Sequence, residues 1–362
     1  MSNKDTIGYA WKGDDCAAAV QALEQAKNLR ILVVGDLMVD AYLLGKVNRI
    51  SPEAPVPILS ASRRERRPGG AANVALNLKA LGAAVTVAGV IGADPDGQDL
   101  RKAMEDMDMD TAGVLAFDDR RTTVKTRIMG GGQHMLRVDE EDDMDLSADQ
   151  AQRFLERLAV VMGKQSFDAI LIEDYDKGVL SPQVISGLLH MAQEKAIPVS
   201  VDPKFRHFQC YTGVALFKPN LKEFREGLGL VWEDGDAEAM ERALAKGLSR
   251  LMADWHPDAV LLTLSEHGVR IKTALADVQQ PAHPREILDV SGAGDTVIAV
   301  ATVLLAQGTD AATMAQVANL AGGLVCEKPG VVPVDLHALL DEAKPVEAAS
   351  CDPTTLIFVG TA

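Results

Sequence analysis

The chain has 362 residues, 47% of them apolar and 24% charged, enough for one large soluble α/β domain or two smaller ones with a sizeable core. With 36 basic against 52 acidic side chains the net charge is −16, which argues against non-specific binding to nucleic acid or to anionic membranes. An anionic ligand would need a local basic pocket set against that field.

Cys16, Cys210, Cys326 and Cys351 are scattered, with neither a disulfide framework nor zinc spacing. The opening Met-Ser-Asn-Lys lacks a signal-peptide pattern, and the longest apolar run, Thr296 to Ala306, is too short to span a bilayer. The expectation is a cytoplasmic enzyme with no membrane partner.

Residues 1–28 read as a leader, with helical spacing from Ala17 to Ala26. Ile31–Val34 then begins a series of short apolar runs that predict buried strands, continued by Val85–Val90, Ala169–Ile172, Ile197–Val201, Val214–Phe217 and Ala259–Thr263. Helical patterns lie between most of them, at Ala71–Leu81, Gln150–Met162, Pro182–Lys195, Lys222–Leu228 and Glu238–Met252. This rhythm predicts an α/β fold with a mostly parallel central sheet, helices on both faces and right-handed crossovers. Ligands of such sheets gather at the carboxyl ends of the strands. Asp36, Asp40, Glu173, Asp174, Asp202, Lys218, Asn220, Thr263 and Asp295 fall at such positions.

Two stretches break the rhythm. Residues 43–62 are rich in Pro and β-branched side chains, and residues 121–138 read as two strands around Gly130-Gly131-Gly132. Together they are expected to form a small β-sheet lid; two irregular surface loops are the alternative. The domain expected between leader and tail spans 29–340, and 341–362 is a mixed tail in which Leu356–Val359 could add an edge strand.

The stretch with most chemistry is Asp289-Val-Ser-Gly-Ala-Gly-Asp295, followed by the helical run from Thr296. Gly292, Ala293 and Gly294 leave backbone N–H groups free to converge at a helix N-terminus, which attracts phosphate. Asp295 is a poor neighbour for phosphate unless it acts as a base toward a hydroxyl, which suggests a kinase acting on an alcohol. Alone, the same residues are also a loop with an Asp cap.

Gly69-Gly70-Ala-Ala-Asn73 opens a helix after Arg63, Arg64, Arg66 and Arg67. It reads either as a hydroxyl-binding turn or as a plain helix start behind a solvated basic loop. Asp36 and Asp40 follow the first strand and suit neighbouring hydroxyls of a polyol, or a turn. Asn220 and Glu223 lie three apart, which fits a capping box and equally a pair organising Mg²⁺ through its waters. A Walker A motif is absent.

The two Gly-rich stretches resemble the two signatures of ribokinase-like (PfkB) sugar kinases, over roughly residues 30 to 340. Gly35–Asp40, Val47–Pro57 and Asp174-Tyr-Asp-Lys-Gly178 resemble most the group phosphorylating D-glycero-β-D-manno-heptose 7-phosphate in lipopolysaccharide core synthesis. That resemblance implies a ribokinase-like fold with a lid, a homodimer joined through the lids, and ATP with Mg²⁺ as co-substrates. Asp295 would be the base, with Gly292, Ala293 and Gly294 forming the anion hole. Asp40, Gly69, Gly70 and Asn73 would hold the sugar, reached also by Glu173 or Asp174. Lys218, Asn220, Glu223, Thr263, Gly268 and Asn319 would border ATP.

Val290 stands where many relatives carry Thr, which leaves any hydroxyl role to Ser291. Many heptose kinases of this type are fused to a nucleotidyltransferase; this chain reads as the kinase half. Charge, together with a place in or beside the lid-like stretches, nominates Arg49, Arg137 and Lys177 for the substrate phosphate. A kinase for another sugar and a non-catalytic sugar or nucleotide sensor are the rival readings.

Overall fold

The computed structural model describes residues 13–233, 235–283 and 285–343, with side chains from residue 17 onward. The chain opens with α1 (Gly13–Glu24), β1 (Arg30–Gly35), β2 (Leu37–Ile50), β3 (Pro57–Gly70) and α2 (Ala71–Ala80). It continues through β4 (Ala84–Gly92), α3 (Pro95–Asp106), β5 (Asp110–Phe117), β6 (Thr123–Gly130), β7 (Gln133–Glu140) and α4 (Ala148–Lys164). β8 (Ala169–Glu173), α5 (Pro182–Glu194), β9 (Val199–Asp202), β10 (Leu216–Phe217), α6 (Leu221–Gly227), α7 (Ala237–Trp255) and β11 (Ala259–Thr263) follow. β12 (Val269–Thr273), β13 (Asp277–Gln280), α8 (Ala293–Ala306), α9 (Ala311–Cys326) and α10 (Leu336–Ala343) complete it.

Nine strands form the main sheet in the order β13-β12-β11-β10-β9-β8-β1-β4-β5. All neighbours from β11 to β5 run parallel, while β12 and β13 are antiparallel additions at one edge. Alternation along β1 explains the layers. Ile31 and Val33 join a core with α2, α8 and α9, whereas Leu32 and Val34 join a second core with α4, α5 and α7. Burial on both faces is why the parallel strands read as continuous apolar runs. Ile197 and Val214 precede their strands, since β9 begins at Val199 and β10 holds only Leu216 and Phe217.

A second sheet has the order β3-β2-β6-β7. The two stretches that broke the rhythm do form it, but its first hairpin is longer than residues 43–62 suggest. It runs from Leu37 to Ile50 and back from Pro57 to Gly70, with register shifts after Leu44 and after Val47. The arginine run at 63–67 is therefore strand, not loop, and adjacent arginines point to opposite faces. Leu356–Val359 lies outside the described residues.

Candidate active site

Register aligns the carboxyl ends of the central strands: Gly35 pairs with Glu173, Glu173 with Asp202, and Asn220 bridges to Thr263. Facing them is the N-terminus of α8. Gly292, with φ 81°, turns the chain into that helix, a conformation costly for any residue with a Cβ. The helix beyond is buried on nearly every side, from Val297 to Leu304, and this fixes its first turn against the strand ends.

Asp295, 8% exposed, sits in that first turn. Its Oδ2 accepts from Asn73 Nδ2 at 2.5 Å, and its Oδ1 from the Tyr175 hydroxyl at 3.0 Å. Burial raises its pKa to about 6; Asp202 pushes the same way, while the bonds from Asn73 and Tyr175 and the charge of Lys218 pull it down. No described ion pair neutralises it, so the carboxylate is held rather than quenched. Gly294 N–H, in the first turn, has no intrahelical acceptor. Ala293 N–H instead reaches back to Val290 O at 3.3 Å, so it would have to exchange partners to join an anion hole.

Asp295, Glu173 and Asp202 bring carboxylate oxygens within 4.8 Å of one another. Lys218 Nζ, 2% exposed, contacts Asp202 Oδ2 at 2.7 Å. A Cβ on Gly294 would lie 3.7 Å from that ammonium, so the glycine turn and the lysine face one small space. Both oxygens of Glu173 and Oδ1 of Asp202 are buried without a partner. Burial and the charges of Asp202 and Asp295 raise the Glu173 pKa well above the carboxylate range. Orphaned buried acceptors of this kind fit a divalent cation.

Asn73 is aimed by two further bonds. Asn77 Nδ2 donates to Asn73 O at 3.0 Å, and Thr296 Oγ1 donates to Asn77 Oδ1 at 2.9 Å. Gly70, with φ 59°, caps α2 and leaves no room for a Cβ, which would fall 2.4 Å from Asp36 O. Gly69 lies against Asp40, whose Oδ2 would be 2.3 Å from a Cβ there. Asp40 is ion-paired to Arg127 on β6.

Several expected ligands have other employment. Asp36 is fully buried and accepts from the backbone N–H groups of Tyr175, Lys177 and Val179 at 2.8, 3.1 and 3.2 Å. Asp174 accepts from Tyr211 Oη at 2.7 Å and Asp176 N at 2.8 Å. The two acids anchor the loop that delivers Tyr175, a role that the sequence does not show because their partners lie on other segments or in the turn of that loop. Lys177 pairs with Glu141 at 2.8 Å and Arg137 forks onto Asp139 at 2.9 Å. Arg49 is exposed near the outer end of β2.

At the other end of the cleft the capping box is present. Asn220 Oδ1 accepts from Glu223 N at 2.8 Å, and Glu223 Oε2 from Asn220 N at 2.9 Å. Lys204 holds the remaining Glu223 oxygen. Both Glu223 oxygens thus already have a partner, which favours contact with a metal through water over direct coordination. Gly268 lies where a Cβ would collide with Gln280 O at 2.0 Å, and Asn319 Nδ2 donates to Pro281 O at 2.8 Å. A cleft of 1060 Å³ beside Asn220 is lined by Ser265, His267 and Trp232, but not by Thr263, Gly268 or Asn319.

Tyr175, Asp202 and Lys204 are site residues to which sequence reasoning gave no role. Asp202 stood at a strand end, the only signal available. Lys204 lies over the Tyr175 ring at 5.3 Å, a contact no spacing rule encodes.

A buried carboxylate beside a glycine-built helix N-terminus, with a buried lysine opposite, is an arrangement compatible with phosphoryl transfer. The chain belongs to the pfkB family of carbohydrate kinases, whose family model matches residues 28–337. It is 40% identical over 320 residues to the bifunctional protein HldE of Citrifermentans bemidjiense and 39% over 313 residues to that of Coxiella burnetii, covering 88% and 86% of this chain. It spans 64% and 62% of those relatives' lengths. Escherichia coli phosphofructokinase-2 in complex with potassium superposes with a TM-score of 0.70 at 18% identity, over 87% of this chain and 98% of that one. Arabidopsis thaliana ribokinase complexed with ribose and ATP gives 0.63 at 19%, over 86% and 98%. No described helix is long and apolar enough to cross a membrane.

Proposed function

We propose that this kinase transfers the γ-phosphoryl group of ATP to O1 of D-glycero-β-D-manno-heptose 7-phosphate, giving the 1,7-bisphosphate and ADP. The observation that carries the phosphoryl-transfer chemistry is the Asp295 carboxylate, clamped by Asn73 and Tyr175 at the glycine N-terminus of α8. The heptose assignment rests on Gly35–Asp40, Val47–Pro57 and Asp174–Gly178, and likeness to the HldE proteins supports it.

In this reading Asp295 takes the proton from the acceptor hydroxyl, the freed oxygen bonds to the γ-phosphorus, and the bond to the bridging oxygen of ADP breaks. Gly292 and Gly294 N–H and the Lys218 ammonium receive the charge of the transferring group. Asp40, Gly69, Gly70 and Asn73 border the sugar, while Lys218, Asn220 and Thr263 border ATP. Mg²⁺, when bound, would neutralise phosphate charge; Glu173 and Asp202 offer it free oxygens, and Glu223 reaches it through water.

Residues 29–340 act as the kinase domain, flanked by 1–28 and 341–362. Leu136 and Val138, 57% and 41% exposed, lie on the lid face opposite Arg137, and a second copy of this chain covers them in a homodimer. Incubation with ATP, Mg²⁺ and a panel of sugars and sugar phosphates tests the function, with ADP release and product mass as readouts. Turnover of the heptose 7-phosphate is expected; sugar-independent ATPase activity alone would sink the reading.

A further inference from the structure

The lid has two faces, and the strand register says which charges share one. Asp40 on β2 stands opposite Arg67 on β3 and Lys125 on β6, while Tyr42 stands opposite Glu65 and Arg127. Arg67, Lys125 and Arg127 therefore occupy one face with Asp40 and Glu65. Arg63 and Arg137 extend that face against Asp139. The face carries a surplus of positive charge within a chain of net charge −16.

This is also the face turned toward the base. Arg67 Nη1 donates to Val331 O at 3.3 Å, and Val331 Cγ1 lies 3.0 Å from where a Cβ on Gly292 would be. The Arg67 and Arg127 guanidinium carbons lie 5.5 and 5.3 Å from the centre of the same Tyr42 ring. That ring steadies both planes. Each arginine spends only part of its donor set: Arg127 bonds Asp40 through Nη1, and Arg67 bonds Val331 O and Glu65. With five N–H donors apiece, both have hydrogens left for an anion.

We propose that Arg67 and Arg127, braced on Tyr42, form the subsite for a phosphate monoester on the acceptor sugar, at the end remote from the hydroxyl that Asp295 deprotonates. The subsite rests on the phosphosugar-kinase reading and replaces Arg49, Arg137 and Lys177 as the anchor. Arg137 belongs to the edge strand and is more than half exposed. Lys177 lies off the lid sheet, beside Glu141. Arg49 lies at the lid tip.

The test is calorimetric titration of heptose 7-phosphate into the full chain carrying Asp295→Asn, which binds without turnover, alone and combined with Arg67→Ala, Arg127→Lys or Arg64→Ala. Arg64 is on the opposite face of β3 and serves as the control. Affinity is expected to fall by about tenfold or more with each of the first two and to hold with Arg64→Ala. Steady-state KM for ATP, measured in the corresponding single variants, should stay within about twofold, as uniform loss of acceptor binding requires. Because Arg127 pairs with buried Asp40, Arg67→Ala decides the outcome if the Arg127 variant melts early. Unchanged affinity in both arginine variants overturns the subsite and leaves the kinase reading standing. Equal kcat/KM in the unmodified chain for free and phosphorylated heptose overturns the subsite and the choice of substrate together.

Discussion

Asn73 and Asp295 are 222 residues apart in sequence, yet Asn73 Nδ2 meets Asp295 Oδ2 at 2.5 Å. The bond links the first turn of α2 to the first turn of α8 and holds the carboxylate at the strand ends. Asp295→Asn should lower kcat by about 10²–10⁴ if the carboxylate is the base, with ATP affinity intact by calorimetry. Asn73→Ala frees Oδ2 and should lower kcat by on the order of tenfold. Near-normal turnover in Asp295→Asn removes the base assignment.

The pH dependence follows from the same carboxylate. Its pKa is raised to about 6, chiefly by burial, and only the ionised form accepts a proton. Turnover should therefore be full above that pH and fall about tenfold per unit below it. Folding responds with the opposite sign. A carboxyl whose folded pKa exceeds its unfolded value of 3.8 contributes stability below the unfolded value and loses it as pH rises through about 6. A pH–rate profile without an acid limb between about pH 5 and 7 would contradict the assignment.

Gly294 has no packing reason to be glycine. A Cβ there would meet nothing nearer than Lys218 Nζ at 3.7 Å and Asp202 Oδ2 at 4.0 Å. Gly294→Ala should fold with unchanged Tm. The methyl would stand between the helix terminus and Lys218, where the proposed mechanism carries the phosphoryl group, so kcat/KM for ATP should drop on the order of 10²-fold. Full activity in this variant would show that phosphate does not approach here.

Glu173 is the least satisfied acid of the site, fully buried with neither oxygen hydrogen-bonded. Its raised pKa means that ionisation opposes folding, increasingly as pH climbs through the folded value. Glu173→Gln should raise Tm by about 2–4 °C at pH 8, with a smaller gain at pH 5, while loosening Mg²⁺ or acceptor binding. A fall in Tm at both pH values would contradict an unpartnered, destabilising carboxyl at this position.

The sequence by itself determined the six adjacent strands from β11 to β4, because strands buried on both faces read as continuous apolar runs such as Ile31–Val34 and Ala259–Thr263; β5, at the far edge, was not marked. The sequence also marked both glycine turns and Asp295, since a bare backbone ahead of a helix leaves few chemical options. Other parts were illegible locally. Edge strands β12 and β13 lack a continuous apolar run because they are covered on fewer sides, and helix α9 lacks an amphipathic period because it is buried on most sides. Asp36 and Asp174 look like ligands in the sequence and prove to be loop anchors, because a carboxylate accepts backbone N–H groups as readily as hydroxyls. Which of the lid arginines face the cleft depends on strand register, and which group holds Asp295 depends on α2 meeting α8. Both are relations between distant segments, fixed only when the two cores pack against opposite faces of the sheet.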